Sequence, residues 1–108
     1  MSIHNVVEGT LYQSASEKLV YKITTTNWAS DPTVTDDSIV VIDEYTGEDV
    51  TDTVFPINEP SVGTGDNSDV ISTSLLGGLV EGHRYRVEVP FVVGSNEWEL
   101  RFFVECLF

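Results

Sequence analysis

The sequence predicts an all-β domain folded as a two-sheet sandwich, and three observations carry that expectation. Residues 79–106 alternate apolar and polar side chains along two long arms joined by Gly94-Ser95-Asn96. Shorter runs of β-branched and aromatic residues recur with turn signals between them, the spacing of a sandwich or barrel. No long stretch repeats with the 3.6-residue period of a helix, so helix content is expected to be near nil.

At 108 residues the chain is expected to be one domain spanning 1–108, long enough to bury a core unaided. Residues 1–17 form an N-terminal arm or first strand, with a strand candidate from Val6 to Tyr12 and Gly9 marking a bulge or bend inside it. From Lys18 to Thr26, Leu19, Tyr21, Ile23 and Thr25 face one way and Lys18, Lys22, Thr24 and Thr26 the other. The loop formers around Asn27 and Pro32 end that strand. Trp28 lies at the exit, where it either caps the core edge or shows an aromatic face to a partner. Ser38 to Asp43 is a continuous β-branched run suited to a strand covered on both faces. Tyr45 to Asp49 supplies a turn, Val50 to Phe55 is expected to return as a strand, and Pro56 ends it. Residues 61–69 are a Gly-, Ser- and Asp-rich loop. Val70 to Leu75 is the next strand, and Leu76-Gly77-Gly78 bends into the hairpin.

In that hairpin the first arm sets Tyr85, Val87, Val89 and Phe91 against Arg84, Arg86 and Glu88. The second sets Trp98, Leu100, Phe102, Val104 and Cys106 against Glu97, Glu99, Arg101 and Glu105. A period of two gives each strand one buried and one wet face. Gly, Ser and Asn tolerate the tight turn between them. Trp98 and Cys106 are thereby placed in the core. Cys106 is the single cysteine, so no internal disulfide staples the fold.

The formal net charge is −13. Between Lys22 and Arg84 there is neither Lys nor Arg, while acids from Asp31 to Asp69 crowd the interval. Such a surface repels phosphate backbones and anionic lipid, which argues against nucleic-acid and membrane partners. It serves either as a solubilising surface or as the complement of a basic partner. The first residues carry neither a basic region nor an apolar run, so no signal peptide is expected. No apolar stretch is long enough for a membrane span.

Catalytic and metal chemistry find little support. His4, His83 and Cys106 lie far apart in sequence, against a zinc site. Asp66 and Asp69 flank Asn67 and Ser68 with hard oxygen ligands of the kind calcium takes. The alternating acids ending in Glu of a calcium loop are missing there. No nucleophile elbow or phosphate-binding loop occurs, and no cofactor is expected. Exposed aromatics leave a second reading, a carbohydrate- or surface-binding module, with Trp28, Tyr12 and Tyr45 as candidates. The stretch Leu107-Phe108 either folds over the domain's end or docks on a partner.

Leu79, Gly82, Tyr85 and Val87 make an L-x-x-G-x-x-Y-x-V spacing that matches a tyrosine corner, in which a tyrosine hydroxyl turns back to nearby backbone. That spacing resembles fibronectin type III and related immunoglobulin-like domains, with about seven strands. A wider resemblance covers residues 18–108. It is carried by Tyr21 to Trp28, by Thr46-Gly47-Glu48-Asp49-Val50-Thr51, and by Leu79 to Phe91. Val93-Gly94-Ser95-Asn96-Glu97 and Val104-Glu105-Cys106-Leu107-Phe108 complete it. Together these segments resemble small immunoglobulin-like virion proteins of tailed bacteriophages, of the head-decoration or the neck and fibre–tail adaptor type. In that group the last segment often runs Cys-Pro-Phe, and here Leu107 stands in place of the proline. The resemblance implies a non-enzymatic structural protein made in the bacterial cytoplasm and carried in the virion. Its partners would be capsid or neck/tail proteins, and it would be present in many copies or as a homo-oligomer. It brings no catalytic residues, and the residues expected at a partner contact are Leu107, Phe108 and Trp28.

Overall fold

The computed structural model describes residues 2–25 and 31–108, with the backbone alone over residues 2–9. It is an all-β sandwich. Among the described residues eight strands run in chain order as β1 (Ser2–Gln13), β2 (Lys22–Thr24), β3 (Val40–Asp43), β4 (Glu48–Asp49), β5 (Ser61–Val62), β6 (Val70–Ser72), β7 (Arg84–Val93) and β8 (Asn96–Cys106). One helical turn, α1 (Thr51–Val54), follows β4, and a 3₁₀ turn at Gly65–Asn67 sits between β5 and β6. Five strands form one sheet in the order β1-β8-β7-β3-β4, and three form the other in the order β2-β6-β5.

The hairpin of β7 and β8 is the centre of the larger sheet. Val93 pairs with Asn96, so the connection is a two-residue turn of Gly94-Ser95, tighter than the three-residue loop expected, with Asn96 already in the strand. Gly94 takes φ +60 there, a conformation that costs a residue without Cβ little. The alternation predicts the burial: Tyr85, Val87, Val89, Phe91, Leu100, Phe102, Val104 and Cys106 are all buried. Trp98 is the exception among the residues predicted for that face. It is half-buried at the core's edge, stacked on Phe91 with ring centroids 6.3 Å apart.

Against this face the smaller sheet supplies Ile23 and Ile71, α1 supplies Val54, and the loops supply Ile39, Phe55, Leu76 and Leu79. Tyr21, just before β2, meets Phe102 across the sandwich at 5.4 Å between centroids. The predicted strand from Lys18 to Thr26 is regular only over β2, but its facing holds: Ile23 and Thr25 are buried while Lys18, Lys22 and Thr24 are exposed. A bridge from Leu19 to Leu76 carries the pairing past the strand's start. The strand predicted from Val70 to Leu75 is likewise regular only over β6.

The eight strands among the described residues accord with the expected sandwich of about seven; short β4 and β5 pair separately. Two expectations are corrected. The N-terminal strand runs well beyond Val6 to Tyr12 and pairs parallel with β8. Its register breaks between Asn5 and Thr10, around Gly9, as a bulge does. Finally, Val50 to Phe55 returns not as a strand but through α1. An extended chain would set Asp52 on the same face as Val50 and Val54. One helical turn puts Val50 and Val54 on a common face four residues apart, with Val54 buried and Asp52 exposed. Asp49 starts the turn: its Oδ1 accepts from the Thr51 N–H at 3.0 Å and the Thr51 hydroxyl at 2.6 Å, an Asx turn that competes with extended pairing.

Candidate functional site

The tyrosine corner is formed. The Val80 N–H donates to the Tyr85 hydroxyl at 2.8 Å. Leu79 is buried beside it, and Gly82 takes φ +84 while its N–H donates to the Cys106 carbonyl at 2.8 Å. Burial pushes the Tyr85 hydroxyl above its ordinary pKa, and the Val80 N–H pulls partly the other way. These residues lock the entrance of the hairpin and have no free chemistry.

The same entrance holds a pair that the sequence did not advertise. His83 Nδ1 lies 2.7 Å from Asp43 Oδ2, and Asp43 Oδ1 accepts from the Tyr45 N–H at 2.9 Å. The Tyr45 ring stacks on His83 at 4.6 Å between centroids. Asp43 ends β3 and is buried, so the imidazole satisfies a carboxylate that would otherwise be costly to bury. Forty residues separate the partners in sequence, which is why neither stood out. The pair pins β3 to β7.

On the outer face of the larger sheet the three arginines join one ion-pair ladder. Arg84 and Arg86 reach Glu44 at 3.4 and 3.2 Å, and Arg86 reaches Glu88 at 3.1 Å. Arg101 then links Glu88 at 3.5 Å to Glu99 at 3.3 Å. Arg84 also lies over the Phe103 ring, 4.4 Å from its centroid. Such partly exposed pairs add little stability individually. Their consequence is for the charge map. The chain has five Lys and Arg, so only Lys18 and Lys22 remain outside the ladder.

The expected partner-contact residues fall apart into described and undescribed. Trp28 lies outside the described residues. Leu107 and Phe108 follow β8 with side chains 52% and 72% exposed, while their backbone is held: the Leu107 N–H donates to the Gln13 carbonyl at 3.1 Å, and the Ala15 N–H donates to the Phe108 carbonyl. Gln13 in turn is buried, its Nε2 donating to the Leu76 carbonyl at 2.7 Å. The segment therefore has a fixed backbone and outward apolar side chains. Tyr12, also exposed, sits on the adjacent strand opposite Glu105.

Asp66 lies within the 3₁₀ turn and Asp69 just after it. Asp69 Oδ1 accepts from the Asp31 N–H at 3.0 Å, and its carbonyl accepts from the Thr25 N–H and hydroxyl, which ties the loop to the end of β2. Asp66 is exposed in the 3₁₀ turn. Among the described residues no group of three or more His, Cys, Asp or Glu side chains is placed to hold a metal. Cys106 is buried with its thiol pushed above the ordinary pKa by that burial, which disfavours the reactive thiolate.

Two recesses open on either side of residues 53–57. One, of about 610 Å³, is lined by Lys18, Val20, Ile57, Leu75 and the backbone of Gly77 and Gly78. The other, of about 600 Å³, is lined by Asp37, Asp49, Asp52 and Asn58. Sequence reasoning missed both because each is assembled from segments distant in the chain. No protein-family model matches the chain, and no curated protein matches it in sequence. Among the described residues no helix is long and apolar enough to cross a membrane.

Proposed function

We propose that the chain is a non-enzymatic virion structural protein of a tailed bacteriophage, attached to the head or to the neck and tail as a decoration or adaptor protein. One observation supports this reading beyond the sequence resemblance: Leu107 and Phe108 expose apolar side chains from a backbone that β1 and Ala15 hold in place. Ordered apolar side chains in water are a feature of contact surfaces, since a fixed backbone removes the entropy cost of arranging them at the moment of binding. The polar groups with unusual environments act as fold-internal pins, and the acidic surface complements a basic neighbour.

Quantitative mass spectrometry of purified virus particles, with this protein measured against the major capsid protein, tests the proposal. A ratio near one supports head decoration, and a ratio of a few per cent supports a neck or tail ring. Absence from particles overturns the virion reading and favours a carbohydrate- or surface-binding module, for which exposed Tyr12 and Tyr45 are the first residues to replace.

A further inference from the structure

Residues 53–57 form a ridge between two unlike recesses, and Thr53 and Pro56 line both. On one side Val20, Ile57 and Leu75 stand 45%, 63% and 52% exposed around a floor of Gly77 and Gly78. The floor is bare by necessity. A Cβ on Gly77 would lie 2.7 Å from the Lys18 side chain, and Gly78 takes φ +71. On the other side the recess gathers Asp37, Asp49 and Asp52. Asn58 lines it too, only 8% exposed, and its Oδ1 has no hydrogen-bond partner among the described residues, an arrangement that invites a donor.

The two halves select one kind of occupant. Three exposed apolar side chains converging on a groove of this size favour an apolar insert. Acidic residues adjoin its lining in the chain: exposed Glu17 precedes Lys18 and exposed Asp52 precedes Thr53, and the Glu59 N–H donates to Ser74 in its wall at 3.0 Å. Against them stands Lys18, whose stem lies over Gly77. With the three arginines paired in the ladder, a second copy of this chain, of net charge −13, would meet an already acidic rim. Like charge on that scale opposes the seating of a second copy in this recess.

We propose that this double recess docks a segment of another protein that carries a bulky apolar side chain with Lys or Arg close by in sequence. The apolar side chain fills the Val20–Ile57–Leu75 groove, and a cation reaches over the ridge to Asp37, Asp49 and Asp52. The proposal rests on reading the chain as a binding module, but it does not depend on the virion, because its test uses the isolated chain.

The probes are three labelled synthetic peptides: a Leu-Phe centre flanked on both sides by Lys-Lys, the same centre flanked by Glu-Glu, and a Ser-Ser centre flanked by Lys-Lys. Binding is followed by fluorescence anisotropy and by amide chemical shifts of the full chain. The expected result is saturable binding of the Lys-flanked Leu-Phe peptide, with shifts concentrated at residues 18–20, 49–58 and 74–78. The other two peptides bind at least about tenfold more weakly, since hot-spot burial and charge pairing each contribute on that scale. Leu75→Asp, on an exposed side chain, abolishes binding. The pair Asp37→Asn and Asp52→Asn weakens it by about tenfold, and Asn is tolerated at the positive φ of Asp37. Thermal melts of both variants show that the fold is kept. Failure of the Lys-flanked peptide to saturate overturns the proposal, as does equal binding of the Glu-flanked one. A dimer of the unmodified chain in sedimentation that Leu75→Asp dissolves would also overturn it, assigning the groove to a second copy.

Discussion

Tyr85 shows how much of this fold turns on single polar atoms inside apolar strands. Its ring is buried in the core while its hydroxyl accepts the Val80 N–H. Tyr85→Phe keeps the ring and removes the acceptor. Val80 is exposed, so water replaces the lost partner in part, and the expected cost is about 1 kcal/mol. In a thermal melt that lowers Tm by roughly 4–8 °C for a domain of this size; an unchanged Tm would show the hydroxyl to be a bystander. Tyr21 behaves differently with pH. Burial first, and the Glu17 carboxylate second, push its hydroxyl from 10.0 up to about 12. A raised pKa means the folded chain holds the proton more tightly than the unfolded one. Its stabilising effect is therefore complete below pH 10 and is lost as pH rises towards 12. Denaturant titrations across that window should show the unmodified chain losing stability more steeply than Tyr21→Phe. Parallel curves would mean that Tyr21 titrates as it does in water.

Elements add a second level, at which side chains decide which regular structure a segment takes. The segment after β4 has strand-like composition, yet α1 forms because Asp49 and Thr51 close a local turn and because a helical turn keeps Asp52 out of the core. Thr51 is the joint. Its hydroxyl donates to Asp49 and accepts the Val41 N–H at 2.8 Å, linking α1 to β3. The same hydrogen bonds from Thr51 hold the Asp49 carboxyl below its ordinary pKa. Thr51→Val has the same shape without the hydroxyl, and it leaves the Val41 N–H without that acceptor on a fully buried residue. A loss of about 1–3 kcal/mol is expected, measured as a lower denaturant midpoint at unchanged slope. A neutral outcome would mean that water reaches this joint. The hairpin, by contrast, obeys its own alternation, and on its core face Val93 and Trp98, next to the turn, are only half-covered.

The whole molecule is a packed body, with a radius of gyration of 13.4 Å against about 13 Å for a folded domain of this length. Packing at this level fixes which apolar side chains are left outside. Leu107→Ser combined with Phe108→Ser should leave Tm within a few degrees, because the side chains are exposed and the backbone hydrogen bonds remain. The same variant should be missing from particles. A fall of the size of a core truncation, about 2–5 kcal/mol, would place these residues in the core and remove the observation that supports the virion reading.

The sequence by itself determined the β class, the hairpin and its facing, the tyrosine corner, the bulge near Gly9 and the absence of a stapling disulfide. Each of these rests on neighbours within a few residues or on a period of two, and local sterics and burial enforce such patterns wherever the strand is placed. Tertiary structure alone decided the parallel partnership of β1 with β8, the His83–Asp43 pin and the neutralisation of the arginines along one face. It also decided the two recesses beside residues 53–57. These features bring together segments from opposite ends or separate stretches of the chain, and no local period records which strands will meet. The sandwich makes those meetings because it must bury two apolar faces against each other, and the surfaces left over are set by that closure.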